Sequence, residues 1–284
     1  MSSAPISVII LTWQEECNLA ACLDSVTGWA DDVFVVDSFS TDRTMAIANQ
    51  KGVRVVQNRF ENMAQQRNWS LSQLPLKTEW VMFLDADERP TAELKDELAR
   101  KLPTFSIEIA GLYTKRRFIW LGKWLRHGGM YKKVLRIVRR DRARVEMAGR
   151  REYMRVQGNT LLLNNDLLHD DRKGVADWIN KHNRFSDQEV DEIANTAKKK
   201  ALTDMCLKDP AFQETEGSRI IIIRKYWNRL PLFIRPHLSF FIKYFLMLGF
   251  LDGIAGFTYH FFHDFWYPML VDIKYLERRC KNIY

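Results

Sequence analysis

The sequence predicts an α/β fold: a doubly wound, mostly parallel sheet followed by a helical extension. Three observations carry that prediction. Four short, mostly apolar runs, at residues 6–11, 33–36, 53–56 and 80–84, alternate with amphipathic stretches. Such runs are too short for helices, and strands buried on both faces read as unbroken apolar runs. The fourth run ends in the carboxylates Asp85, Asp87 and Glu88, at the strand end where open α/β sheets bind ligands. After Gly217 the composition turns abruptly apolar and aromatic.

Each element has a local cause. Ile6 to Leu11, then Thr12-Trp13-Gln14-Glu15-Glu16 and an amphipathic stretch to about Val26, read as strand, turn and helix. Asp32 to Asp37 holds the second strand. Behind it Ser38-Phe39-Ser40-Thr41-Asp42 supplies N-cap residues for a helix over Thr44 to Gln50. Gly52 closes that helix and Val53 to Val56 forms a third strand. Phe60 to Leu74 reads as a helix carrying Gln65, Gln66, Arg67 and Asn68, which Pro75 helps to end before the central strand Trp80 to Leu84. A helix is expected from Thr91 to about Leu102. This βαβαβαβ alternation, with no internal repeat, is the pattern of a parallel sheet.

Regularity weakens beyond Leu102. Gly111 to Thr114 and Val134 to Val138 read as strands. Between them Lys115 to Trp124, followed by Gly128-Gly129, interleaves basic and aromatic residues with glycines. That mixture suits a loop touching an anionic or sugar-like ligand. Arg139 to Arg155 is densely charged and contains Arg151-Glu152. Leu161 to His169 reads as a further strand, ending in His169-Asp170-Asp171, and Asp177 to Asn195 as a helix with Trp178, Ile179 and Phe185 on its apolar face. The domain expected from these elements covers 1–215, with halves 1–105 and 106–215. A helical segment over 216–284 follows.

In that last segment Lys243, Asp252, His260, His263 and Asp264 interrupt every window of the roughly 20 apolar residues that a spanning helix needs. Spanning is therefore disfavoured. Two or three interfacial helices between Ile220 and Leu276 fit better, with Arg219, Arg224, Lys225, Arg229 and Arg235 near an anionic surface. A buried helical hairpin or a homodimer interface is the competing reading.

Composition narrows the function. Of 284 residues, 46% are hydrophobic and 27% charged, so disorder is not the default. A net charge of +8 favours anionic partners, nucleotides and lipid headgroups among them. The cations are scattered and no recognition module is visible, so nucleic acid is not expected. Cys17, Cys22, Cys206 and Cys280 form no C-x-x-C pair and have no zinc spacing, which argues against a disulfide framework or structural zinc and for a reducing cytosol. Met1 to Pro5 shows no export signal. Asp85 and Asp87 stand two residues apart, so on leaving a strand they can point to one side. Hard oxygen ligands so spaced suit Mg²⁺ or Mn²⁺ bridged to a diphosphate. A solvated turn before the next helix is the plainer alternative.

Several stretches together resemble the inverting family 2 glycosyltransferases of GT-A fold, and within them the lipopolysaccharide-core glucosyltransferase-like branch. They are Ser7 to Thr12 with Glu15-Glu16 and Asn18-Leu19, Val35 to Ser38 with Ser40-Thr41-Asp42, Gln66-Arg67-Asn68, and Phe83 to Glu88. Arg126 to Tyr131 and Leu246 to Gly256 also look like that branch. The resemblance covers most of the chain. It implies a GT-A type mixed sheet, a nucleotide-sugar donor, UDP-linked above all, and a divalent cation. It further implies transfer with inversion to a lipid-linked or lipopolysaccharide-type saccharide; with the interfacial helices and the missing export signal, the enzyme is expected to be peripheral at the inner face of the cytoplasmic membrane.

The same resemblance implies roles, each with a competitor. Thr12 and Glu15 would lie beside base and ribose, although Thr-x-x-Glu is also a capping box. Asp37 would accept from the nucleobase imide or a ribose hydroxyl, or serve as a turn residue. Many relatives have a second carboxylate where this chain has Ser38 and a glycine where it has Phe39. Gln66, Arg67 and Asn68 would face the donor, with a surface ion pair the rival for Arg67. Asp87 would ligate the metal and Asp85 would hold the ribose or support the ligand. His169 would complete the metal shell or touch the diphosphate, against the alternative of a satisfied core histidine. Relatives place a His-Glu pair where this chain has Arg151-Glu152, which makes Glu152 the catalytic base expected, ahead of Glu146, Asp170 and Asp171. Its competitor is an exposed ion pair with Arg150, Arg151 or Arg155. A catalytically silent GT-A scaffold is the rival function. A nucleotidyltransferase fits less well, since no glycine-rich phosphate loop follows the first strand.

Overall fold

The computed structural model describes residues 3–148, 151–194 and 230–281. The chain divides into two compact units. One comprises Met1–Trp124, Met130–Met147 and Glu152–Lys173, the other Leu125–Gly129, Ala148–Arg151 and Gly174–Tyr284. The division expected at residues 215/216 lies outside the described residues.

The first unit is built on a nine-stranded mixed sheet. Its early elements are β1 (Ala4–Thr12), α1 (Leu19–Val26), β2 (Ala30–Asp37), α2 (Thr44–Gln50), β3 (Arg54–Gln57), α3 (Met63–Gln73), β4 (Trp80–Asp85), β5 (Glu88–Pro90) and α4 (Ala92–Lys101). The later ones are β6 (Ile109–Trp120), β7 (Lys123–Leu125), β8 (Lys132–Arg139), β9 (Ala143–Ala148), β10 (Arg151–Val156) and β11 (Asn159–His169). Strand order is β3-β2-β1-β4-β8-β6-β11-β5, with β7 paired to β6, while β9 and β10 form a separate two-stranded sheet. The first four strands run parallel, as the alternation predicts, with β1 registered on β2 at Thr12 and Asp37 and on β4 at Ile6 and Trp80.

The unbroken apolar runs are explained by two cores. Val8, Ile10, Met82 and Leu84 point to one face, where Leu19, Leu23, Leu94 and Leu98 of α1 and α4 cover them. Ile9, Val36, Val81 and Phe83 point to the other, with Phe34, Leu74 and Val138. Each such side chain stabilises the fold by about 1.5–3 kcal/mol on full burial.

The loop expected over Lys115 to Trp124 is instead the outer half of β6, which continues to Trp120 before Leu121 and Gly122, both at positive φ, turn it into β7. The cations that suggest a loop are paired along a strand of aromatic and β-branched residues. Arg117 donates to Asp166 at 2.7 Å, Arg116 pairs with Glu88 at 3.4 Å and Lys115 lies over the Tyr131 ring. Antiparallel β8 between β4 and β6 is the second departure from the early pattern.

The described part of the second unit contains α5 (Val175–Ala194), α6 (Ile234–Leu246) and α7 (Gly249–Lys281). Trp178, Glu189 and Asp187 of α5 meet the later part of α7: Tyr267 donates to Glu189 at 2.7 Å, and Lys274 to Asp187 at 2.5 Å. The axes of α6 and α7 bend by 71° across Met247 and Leu248, and among the described residues no single helix is long and apolar enough to cross a membrane. Arg235, expected to face an anionic surface, is instead buried against Asp272. Arg219, Arg224, Lys225 and Arg229 lie outside the described residues.

Candidate active site

The site is assembled where β4 ends. Asp85 closes the strand, Ala86 and Asp87 form a turn, and Glu88 opens β5. Strand alternation therefore stops at Asp85, and the two aspartates answer to different partners. Arg67, brought in by α3 and 1% exposed, donates from Nη2 to Asp85 at 3.0 Å and from Nε to Glu152 of β10 at 2.9 Å. Its guanidinium lies over the Phe83 ring. Arg136 of β8 reaches the other oxygen of Asp85 and donates to Glu88 at 2.7 Å. Glu88 is fully buried and also accepts from the backbone N–H of Asp85 at 3.2 Å. Burial alone would push its carboxyl up, but Arg136, with His169 and Arg116, holds it well below the usual carboxylate range.

Asp87 is not the exposed turn residue of the plainer reading, since its side chain is only 14% exposed. Burial raises its pKa; Asp85 and Glu88 add to the rise, and His169 opposes it. His169, at the end of β11, stacks on Phe118 and brings Nε2 to 3.5 Å from Asp87 Oδ2. Asp87 Oδ1, His169 Nδ1 and Arg67 Nη1 are buried with no hydrogen-bond partner. Buried polar atoms are rarely left so; His169 Nδ1 lies 3.8 Å from Glu88 Oε1, and Asp87 Oδ1 is left to meet a ligand. Among the described residues no group of three or more His, Cys, Asp or Glu is placed to hold a metal. One carboxylate and one imidazole do fit an ion whose other ligands are diphosphate oxygens and water, the usual environment of Mg²⁺.

A second cluster lies at the ends of β1 and β2. Thr12 donates to Asp37 Oδ1 at 3.0 Å, and the same oxygen accepts from the Ser40 hydroxyl at 2.5 Å. Asp37 Oδ2 accepts from the Ser40 backbone at 2.9 Å and from Gln57 at 3.2 Å. With about four acceptor positions on a carboxylate, Asp37 is fully engaged, two positions by Ser40 of the 38–42 loop and one each by Thr12 of β1 and Gln57 of β3. Gln66 joins that loop through Ser38 at 3.3 Å and accepts from Asn58 at 2.8 Å. Phe39 takes a left-handed φ of 59°, the conformation that suits the glycine of relatives. The capping-box alternative fails, because α1 begins only at Leu19 behind Asn18, and the Glu15 N–H donates to Thr44 instead.

Glu15 itself is bound by Lys173 at 2.5 Å and Asn18 at 2.9 Å; burial nonetheless raises its pKa. Asn68 is turned to β9, exchanging bonds with the N–H and C=O of Val145 at 2.9 and 2.7 Å. The other carboxylates weighed as a base are engaged elsewhere: Glu146 with Arg155, Asp170 with Arg89 and Arg172, and Asp171 with Asn18. The structure thus brings Arg67, Asp85, Asp87, Glu152 and His169 together. Thr12, Asp37 and Gln66 form a separate frame. Arg136 and Lys173 escaped the sequence reading. Arg136 had a signal, a lone cation inside the apolar run Val134 to Val138. Lys173 had none.

A family model described as glycosyl transferase family 2 matches residues 7–159, more than half of the chain. An uncharacterized glycosyltransferase of Rickettsia bellii (strain RML369-C) is 38% identical over 93 residues, 33% of this chain and 31% of that protein. The chain matches only about a third of the length of such Rickettsia relatives. Lipopolysaccharide core biosynthesis glycosyltransferase LpsC of Rhizobium meliloti (strain 1021) is 26% identical over 216 residues, 73% of this chain and 78% of that protein. Among solved structures, glucosyl-3-phosphoglycerate synthase from Mycobacterium tuberculosis with Mn²⁺, UDP and glucosyl-3-phosphoglycerate aligns at a TM-score of 0.42 and 19% identity, covering 62% of this chain and 75% of that one.

Proposed function

The chain belongs to glycosyl transferase family 2, and on that premise we propose that it is a metal-dependent, inverting hexosyltransferase. Its donor is a UDP-sugar, and its acceptor a lipid-linked or lipopolysaccharide-type saccharide at the inner face of the cytoplasmic membrane. Similarity to the lipopolysaccharide core enzyme LpsC supports the acceptor class. The observation that carries the chemistry is the Arg67 bridge, which binds Asp85 at the sheet edge and Glu152 on β10 with one buried guanidinium.

In this reading Asp87 and His169 would hold Mg²⁺ or Mn²⁺, which when bound offsets the charge that develops on the leaving diphosphate. Asp85, fixed by Arg67 and Arg136, receives the ribose. Thr12, Asp37 and Gln66 shape the base side. Because every acceptor position of Asp37 is taken, a nucleobase would reach it only by displacing Gln57 or Ser40. Glu15 and Asn68 support this frame through Lys173 and β9.

Inversion is one displacement. The acceptor oxygen bonds to the anomeric carbon as the carbon–diphosphate oxygen bond breaks, and the acceptor's proton passes to Glu152. Arg67 fixes the orientation of that carboxylate by holding Oε2. The reading is tested by assaying the purified chain against UDP-sugars with Mn²⁺ and a lipopolysaccharide-type acceptor, beside Glu152→Gln. The substitution keeps shape and removes the base, so turnover should fall by a factor of about 10² or more while donor affinity stays near wild type. Normal turnover in Glu152→Gln would remove it as the base.

A further inference from the structure

We propose that the bend between α6 and α7 is a wedge that enters the hydrocarbon of one membrane leaflet, with residues 245–254 at its tip. This deepens the membrane placement proposed above and rests on it; sugar transfer is a separate question. The first ground is an inverted polarity. Between Tyr244 and Phe262 the only Asp, Glu, Lys, Arg or His residues are Asp252 and His260, and both are buried. Asp252 accepts from the backbone N–H of His127 at 2.9 Å and lies 2.8 Å from its Nδ1, while His260 Nδ1 lies 2.7 Å from Asp264. The large apolar side chains are outside instead. Ile254 is 74% exposed, Leu246 65% and Leu251 53%, with Phe245, Leu248 and Phe250 beside them in the chain.

The second ground is the backbone. Irregular chain is tolerated at membrane depth only where its polar groups are met by protein. Here the Met247 N–H donates to Ile242, that of Leu248 to Phe245 and that of Leu251 to Leu248, while the Met247 carbonyl accepts from Gly128 at 2.9 Å. Gly128 has φ +65°, and any side chain there would run into the His260 ring. That glycine lets the 125–129 loop close over the bend from within the same unit.

The third ground is what such a surface can bind. Protein interfaces carry about one hydrogen bond per 100–200 Å² and a polar rim. This tip offers a partner no exposed charge. From Leu230 to His263 the only carboxylate is the buried Asp252, whereas Lys243, next to the tip in the chain, is a cation, as suits anionic headgroups around an inserted tip. Among the described residues no single helix is both long and apolar enough to cross, and the 71° bend between α6 and α7 turns the chain back towards the side from which it entered.

The test uses the full chain and phosphatidylcholine vesicles with and without phosphatidylglycerol. Binding should persist in about 1 M salt, where the Debye length is only about 3 Å. Ile254→Asp and Leu251→Asp should each lower partition at least about tenfold, with thermal midpoints unchanged. Ile107→Asp, on an exposed residue of the sheet unit, should have no effect. A Leu251→Trp variant should gain fluorescence, relative to wild type, that nitroxide near the headgroup end of the acyl chain quenches more than nitroxide at its terminus. Vesicle binding abolished by salt, or unaltered in both aspartate variants, overturns the wedge while leaving peripheral attachment and sugar transfer standing. A dimer broken by Ile254→Asp, with vesicle binding unchanged, assigns the face to a second copy and also overturns it.

Discussion

Arg67 and Arg136 show how single residues decide the chemistry available at the end of β4. Between them they pair with Asp85, Glu88 and Glu152, and Arg116 adds a third cation at Glu88, so a cluster of carboxylates persists in a mostly buried place. Removing one partner of a buried pair leaves an uncompensated charge, which costs about 3–5 kcal/mol. Arg136→Met is therefore expected to lower the urea midpoint markedly, and adding Glu88→Gln should restore part of the loss. An unaltered midpoint in the single variant would show that Glu88 does not need this counter-charge. Asp87 makes the opposite prediction. Its Oδ1 is buried without a partner, so Asp87→Ala should keep or raise the thermal midpoint while abolishing metal-dependent nucleotide binding. Retained metal dependence would end its assignment as a ligand.

At the scale of elements, β6 differs from its local appearance, and both β6 and α5 meet partners that are distant in sequence. The cations of β6 pair with Glu88 and Asp166. On α5, His182 stacks on Trp178 with ring centroids 3.5 Å apart, and His263 and Tyr267 of α7 stand edge-on to it. Burial, with the nearby His263 and Lys181, pulls its pKa from 6.5 down to about 4. The sign of the consequence is fixed by linkage. Between these values the unfolded chain takes up a proton that the folded helix refuses, so this contribution is full above pH 6.5 and is lost as pH falls towards 4. His182→Phe keeps the ring stack and should flatten that part of the acid limb, measured as the difference in urea midpoints near pH 7 and pH 5. An identical slope in the variant would refute the assignment.

At the scale of the molecule, the net charge of +8 favours anionic ligands without choosing among them. In the function proposed, the cluster at the end of β4 makes that choice. A nucleoside diphosphate that binds only the folded chain stabilises it by about 2.7 kcal/mol at a hundred times its Kd. UDP with Mn²⁺ should therefore raise the thermal midpoint of the whole chain, and chelator should cancel the rise. A shift that survives chelation would separate nucleotide binding from the metal and remove the ion from the donor site.

The sequence by itself determined the parallel half of the sheet, because unbroken apolar runs and their alternation with amphipathic stretches are local signals. It also determined that carboxylates stand at the end of β4, since composition alone marks where that strand stops. The tertiary structure decided which groups they meet. Arg67 reaches Glu152 from α3, Arg136 arrives on an antiparallel β8, and Asp37 spends its acceptor positions on Ser40, Thr12 and Gln57. None of these pairings has a period or a spacing, since each depends on strand order and on side chains that approach only when the sheet has closed. The helical unit follows the same rule. Its apolar composition was plain in the sequence, but the inward turn of Asp252 and His260 is a property of packing, and it leaves the outer face of the bend without charge.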